Sequence, residues 1–183
     1  MAVSMTRTFA VSAIGRDRPG IVASVAAVLL EHRLNIADSQ MTILGGHFAM
    51  TLLVAAPGAT DAERLRASLE RARLELDLEA VTLSEVADEP HETVVPSHTV
   101  TVYGVDHPGI VHAVAALLAE RGANITDLTT RLVGGDREPI YAMMMELALP
   151  EGLTSEELAG ALRKVGGEQG VEVVLRPLEH DAL

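Results

Sequence analysis

The chain has 183 residues, a net charge of −12, a pI near 4.9 and no cysteine, and 48% of its residues are hydrophobic. The missing cysteines exclude disulfides, thiol nucleophiles and thiolate metal sites, and the acidic balance gives no electrostatic footprint for a phosphate backbone, so direct nucleic-acid binding is not expected. No apolar run reaches the roughly 18 residues a spanning helix needs. Met1 to Met5 leads into a strand pattern without a secretory leader, so the expected location is cytoplasmic, with no membrane association.

In chain order, Thr8 to Ile14 sets Phe9, Val11 and Ala13 against Thr8, Ala10 and Ser12, which predicts a half-buried strand. Gly15 to Pro19 reads as a loop, and Pro19-Gly20 stands where a helix begins. Ile21 to His32 carries Ile21, Val25, Val28 and Leu29 at helical spacing. It is apolar almost all round, which predicts a helix well buried against a sheet. Ile36 to Leu44 and Phe48 to Ala55 read as strands joined at a Gly45-Gly46 turn. Thr60 is the expected cap of a second helix running to about Leu74, with Asp61 and Glu63 in its first turn. Leu76 to Glu85 alternates as a fourth strand.

Residues 87–97 hold acids and prolines without periodicity and read as a linker. The order then repeats: strand His98 to Tyr103, helix Gly109 to Arg121, strand Ile125 to Val133, a turn at Gly134-Gly135 and strand Ile140 to Leu149. Helix Ser155 to Gln169, with a Thr154 cap and Glu157 three residues on, and strand Val171 to Pro177 complete it. Met143-Met144-Met145 reads as core or interface filling.

The two halves share more than an order of elements. Gly15-Arg16-Asp17-Arg18-Pro19-Gly20-Ile21-Val22 returns as Gly104-Val105-Asp106-His107-Pro108-Gly109-Ile110-Val111. At the same spacing Asn35-Ile36 returns as Asn124-Ile125, and Asp38 as Asp127. This is one module used twice. The expected fold is α+β: two tandem ferredoxin-like β-α-β-β-α-β modules, at residues 5–86 and 98–178, each an antiparallel sheet with both helices on one face. Modules this small and this apolar bury surface against another module or chain, so a homodimer or higher oligomer is expected.

The repeated Asp-x-Pro-Gly-Ile-Val motif, the helix after it and Asn-Ile at the next strand resemble the ACT domain, a small regulatory module that binds amino acids. Two such modules without a catalytic domain resemble the glycine cleavage system transcriptional repressor family; the motif is also similar to the ACT module of formyltetrahydrofolate deformylase. The resemblance implies a non-enzymatic regulator that binds a small amino acid, with glycine the candidate, at ACT interfaces. It implies a protein partner, either a transcription factor or, alternatively, an amino-acid metabolic enzyme served in trans.

The binding residues it implies are Asp17, Arg18, Pro19, Gly20, Ile21, Asn35 and Ile36, with Asp106, His107, Pro108, Gly109, Ile110, Asn124 and Ile125 in the second copy. A helix N-terminus suits a carboxylate, a glycine permits close approach, Asp17 or Asp106 accepts from an ammonium, and Asn35 or Asn124 bridges. Proline, glycine and aspartate at a helix start are also ordinary capping chemistry, so the spacing alone leaves both readings open. The copies differ where Arg18 faces His107 and Ala23 faces His112. No catalytic set, phosphate loop or metal motif is found among the serines, glycines and seven histidines, so no cofactor is expected.

Overall fold

The computed structural model describes residues 6–87, 94–133 and 140–178. They fall into two compact units divided near residue 90. The first contains β1 (Thr6–Arg16), α1 (Ile21–Glu31), β2 (Asn35–Leu44), β3 (His47–Pro57), α2 (Ala62–Glu75) and β4 (Leu78–Val86). The second contains β5 (His98–Val105), α3 (Ile110–Glu120), β6 (Asn124–Val133), β7 (Ile140–Ala148), α4 (Ser155–Gln169) and β8 (Val171–Pro177). Each unit is a four-stranded antiparallel sheet, ordered β2-β3-β1-β4 and β6-β7-β5-β8. This is the expected tandem ferredoxin-like α+β fold.

Strand alternation builds the core. Phe9, Val11 and Ala13 of β1 and Met50, Leu52 and Val54 of β3 turn to one face, where Ile21, Val25 and Leu29 of α1 and Leu65 and Leu69 of α2 cover them. Full burial of each larger side chain contributes about 1.5–3 kcal/mol. The second core repeats the plan, with Val100, Val102, Met143 and Met145 beneath Ile110, Val114, Leu118, Leu158 and Leu162. Met143 and Met145 are core, whereas Met144 points the other way and is exposed.

One glycine position fixes how closely the central strand meets its neighbour. A Cβ on Gly15 would lie 2.7 Å from Leu78 Cδ2 and 3.0 Å from Leu78 Cα; one on Gly104 would lie 2.5 Å from Val171 Cγ1 and 3.1 Å from its Cα. The outer helices differ more. A Cβ on Gly166 of α4 would meet the Val171 carbonyl oxygen at 2.8 Å. The matching position of α2 is Arg73, whose Nη1 donates to Leu78 O at 3.0 Å.

Four details depart from the sequence reading. The cap of α2 is Asp61, whose Oδ1 accepts from Glu63 N and Arg64 N, both at 3.1 Å, not Thr60, whose own N–H donates to Pro57 O. The fourth strand begins at Leu78 because Asp77 adopts a left-handed φ of 50° that ends α2. Helix α1 buries a single stripe and leaves Val22 and Leu30 exposed, so its all-round apolarity does not mean all-round burial. Edge strand β2 is exposed throughout. The Gly45-Gly46 turn has positive φ at both residues, 56° and 81°, while Gly134-Gly135 lies outside the described residues.

Among the described residues no helix is long and apolar enough to cross a membrane.

Candidate functional site

In the first unit β1 delivers the chain to Arg16, and the turn Asp17 to Gly20 carries it over the sheet edge into α1. Gly20 is the N-cap residue with φ 99°, a conformation glycine reaches without strain. No side chain caps the helix, so Asp17 is not a cap and the capping reading fails for it. The first-turn amides are left without a side-chain partner at the positive end of the helix dipole. Nothing lies within 4 Å of where a Cβ on Gly20 would be.

Asp17, Arg18, Pro19 and Gly20 are exposed and Ile21 is buried. Together they line an open cavity floored by Val22, Ala26, Met41 and Phe48. The loop is pinned from behind, because Asp17 N–H donates to Gly46 O at 3.0 Å in the β2–β3 turn. An apolar groove adjoins the cavity and shares Val22, Ala26 and Met41 with it; Ile36 and Leu52 also line it.

Asn35 does not join this loop within the module. It pairs with Ala55, eight ladder positions along β3 from His47, where β1 and its loop end. At 3.3 Å per residue the separation is about 26 Å. Ile36, one residue on, reaches the groove but not the loop cavity. In the second unit Asn124 takes the same place opposite Ala148, with Ile125 next to it and half-buried. Each follows the far end of the first helix, so the length of that helix separates it from the loop at the helix start.

The second loop has the same backbone and different partners. Gly109 is again the N-cap residue, with φ 109° and no side-chain cap. Asp106 and Pro108 are exposed, Ile110 is buried and His107 is half-buried. His107 Nε2 lies 2.7 Å from the Gln169 carbonyl oxygen at the end of α4, and Nδ1 lies 3.1 Å from the Pro108 carbonyl. These two hydrogen bonds, the Gln169 one first, hold the imidazole above its usual pKa, and the charge of Asp106 adds to them. Gln169 Oε1 stands 3.7 Å from where a Cβ on Gly109 would be, over the space that is open at Gly20. The Gln169 contact joins residues 62 apart, and no periodicity or motif in the sequence announces it.

Among the described residues no group of three or more histidines or acids is arranged to hold a metal ion. Both loops share an uncapped helix start, a glycine and one aspartate, and in the first they line an open cavity.

A tandem pair of βαββαβ modules with such a loop at each first helix defines a class of small α+β modules. The chain belongs to the ACT domain family: models described as ACT domain match residues 7–82 and 98–167. It is 26% identical over 187 residues to the glycine cleavage system transcriptional repressor of Escherichia coli, covering 99% of this chain and 97% of that protein. It is 43% identical over 82 residues to a UPF0237 protein of Methanopyrus kandleri, covering 44% of this chain and 90% of that one. A crystal structure of an unknown protein from Galdieria sulphuraria matches with a TM-score of 0.75 at 33% identity, covering 96% of this chain and 100% of the other.

Proposed function

We propose that the protein is a non-enzymatic regulator that binds a small amino acid at its first β–α loop and controls a protein partner. The observation that carries this reading is the uncapped start of α1 beneath an open glycine, with Asp17 at the rim of the same cavity. The α-carboxylate meets the first-turn amides of α1. The ammonium meets Asp17, the anion of the cavity rim. The likeness to a glycine cleavage system repressor favours glycine as the candidate ligand.

The likeness to the Escherichia coli repressor along nearly the full chain supports transcriptional regulation as the output. A net charge of −12 disfavours direct contact with DNA, so the regulator acts through a DNA-binding partner protein, as a cytoplasmic homodimer or higher oligomer. Residues 5–86 and 98–178 are the two functional modules, joined by 87–97.

Calorimetry with glycine, alanine and serine tests the ligand assignment. Asp17→Asn leaves α1 unaffected, since Asp17 is not its cap, and removes one charge-assisted contact, expected to cost about 1.5–3 kcal/mol of affinity. Unchanged affinity would show that Asp17 takes no part. Affinity capture from the source cell with and without glycine tests the output: recovery of a metabolic enzyme in place of a transcription factor would redirect it to enzyme control in trans.

A further inference from the structure

We infer that His107 is a proton-sensitive latch: its charged ring ties the β5–α3 loop to the end of α4 and closes the second copy of the ligand loop, and loss of the proton, which leaves one N–H to serve two carbonyls, loosens it. The inference deepens the reading above, since it rests on these loops being ligand sites and supplies a regulation for one of them.

The geometry carries it. Both ring nitrogens of His107 face carbonyl oxygens, at 2.7 Å and 3.1 Å. A carbonyl only accepts, and a neutral imidazole carries a single N–H, so only the doubly protonated ring satisfies both contacts. The partner carbonyl sits in the last turn of α4, which Gly170 ends with a φ of 64°. Last-turn carbonyls lack intrahelical donors and form the negative end of the helix dipole, which favours a cation there.

Asp106 acts on the ring directly and favours its charged form. Tyr141 of β7 lies in the field of the same aspartate. Glu168 of α4 and Glu172 of β8 flank the contact in sequence and are exposed, and His112 of α3 is exposed as well. With the ring charged, Gln169 is held over Gly109 and its amide oxygen occupies the approach to the start of α3. The first module has no such device. Arg18 stands where His107 does and Leu76 where Gln169 does, and an arginine keeps its charge throughout the physiological range.

The test uses the full chain. A side-chain NMR titration of His107 should give a midpoint above the usual value of about 6.5. Amide exchange at Gly109 and Ile110, corrected for intrinsic rates, should lose about tenfold or more of its protection between roughly pH 5.5 and pH 8.5. The amides of Gly20 and Ile21 should show no such change. His107→Leu, which has no donor at any pH, should leave the second loop unprotected at both values. Glycine calorimetry should find more binding sites per chain at the higher pH.

A midpoint at or below the usual value, or protection unchanged across the range, overturns the latch. Equal glycine stoichiometry at both pH values overturns the gating. Absence of glycine binding at either pH counts against the ligand reading instead, and the titration and exchange still decide the latch.

Discussion

Arg33 and Asp77 in the first module occupy the backbone positions that Gly122 and Gly170 occupy in the second. All four have left-handed φ, at 58°, 50°, 69° and 64°. The first position follows the first helix of each module, and the helix ends are built alike: Leu34 N–H returns to Leu29 O, and Ala123 N–H returns to Leu118 O. The backbone of the fold requires a left-handed residue at these places, and only the second module supplies the residue type that adopts it freely. The second module also has glycine at 166, where the first has Arg73, so α4 approaches the Val171 carbonyl and the Val173 side chain more closely than a Cβ would allow. It further has His107 tied to α4, where the first has an exposed Arg18. The Gly166 and His107 differences make the second module the more tightly closed copy, and leave the first with the open loop.

The largest test of that contrast is Gly166→Val. The added side chain meets the Val171 carbonyl and Val173, and overpacking of this kind costs about 2–3 kcal/mol. The matching Arg73→Val in the first module forfeits hydrogen bonds to Leu78 O and Glu70 but creates no clash, so its loss should be smaller. Calorimetric unfolding of the two variants compares them, and equal losses would show that the helices pack alike.

Next in size, Gly20→Ala and Gly109→Ala each force a side chain into a left-handed backbone at φ 99° and 109°, at about 1–2 kcal/mol. Because the 3.7 Å from Gln169 Oε1 to a Cβ on Gly109 is ordinary contact, the two costs should match. A clear inequality, seen in thermal melts, would mean that the added methyl displaces Gln169.

Arg33→Gly should stabilise the first module by about 0.5–1 kcal/mol, since relief of left-handed strain exceeds the entropy glycine adds to the unfolded chain. Asp77→Gly should gain less, because aspartate tolerates this conformation better. Denaturant titration measures both, and no gain at Arg33 would mean that the C-terminal turn of α1 is not strained.

The smallest effect is with pH. His107 has a folded pKa above its ordinary value because of its bonds to the Gln169 and Pro108 carbonyls. Its contribution is therefore fully present below the unfolded value near 6.5 and is lost as pH rises through the folded value. The melting temperature of the second module should fall across that window while the first, with Arg18 at this position, holds steady. Parallel behaviour of both modules would remove the distinction.

Much of this contrast was beyond reach of the sequence. The repeat, the order of elements and the inward alternation at Phe9, Val11 and Ala13 are read directly, because side-chain period and glycine-proline punctuation are local properties. The choice of Asp61 over Thr60 as cap is not, since both are good capping residues and only backbone geometry separates them. The outer face of α1 misleads for another reason: apolar residues such as Leu30 report what surface exists, not what covers it. For the candidate site the loop residues Asp17 to Ile21 come together as their spacing implies. Asn35 does not, because it follows the far end of α1, whose 11 residues span about 16 Å. The positive φ at Arg33 and the His107–Gln169 contact leave no trace in residue type or spacing.

The bond from Asp17 N–H to Gly46 O has a practical use. It makes the tip of the β2–β3 hairpin a mechanical extension of the loop at the mouth of the cavity, and Leu44, beside that tip, is an exposed residue of strand β2. The chain has no native thiol, so Leu44→Cys would give the unique point for attaching an environment-sensitive dye. Occupancy of the first loop would then be read as an optical signal from a residue that touches no ligand.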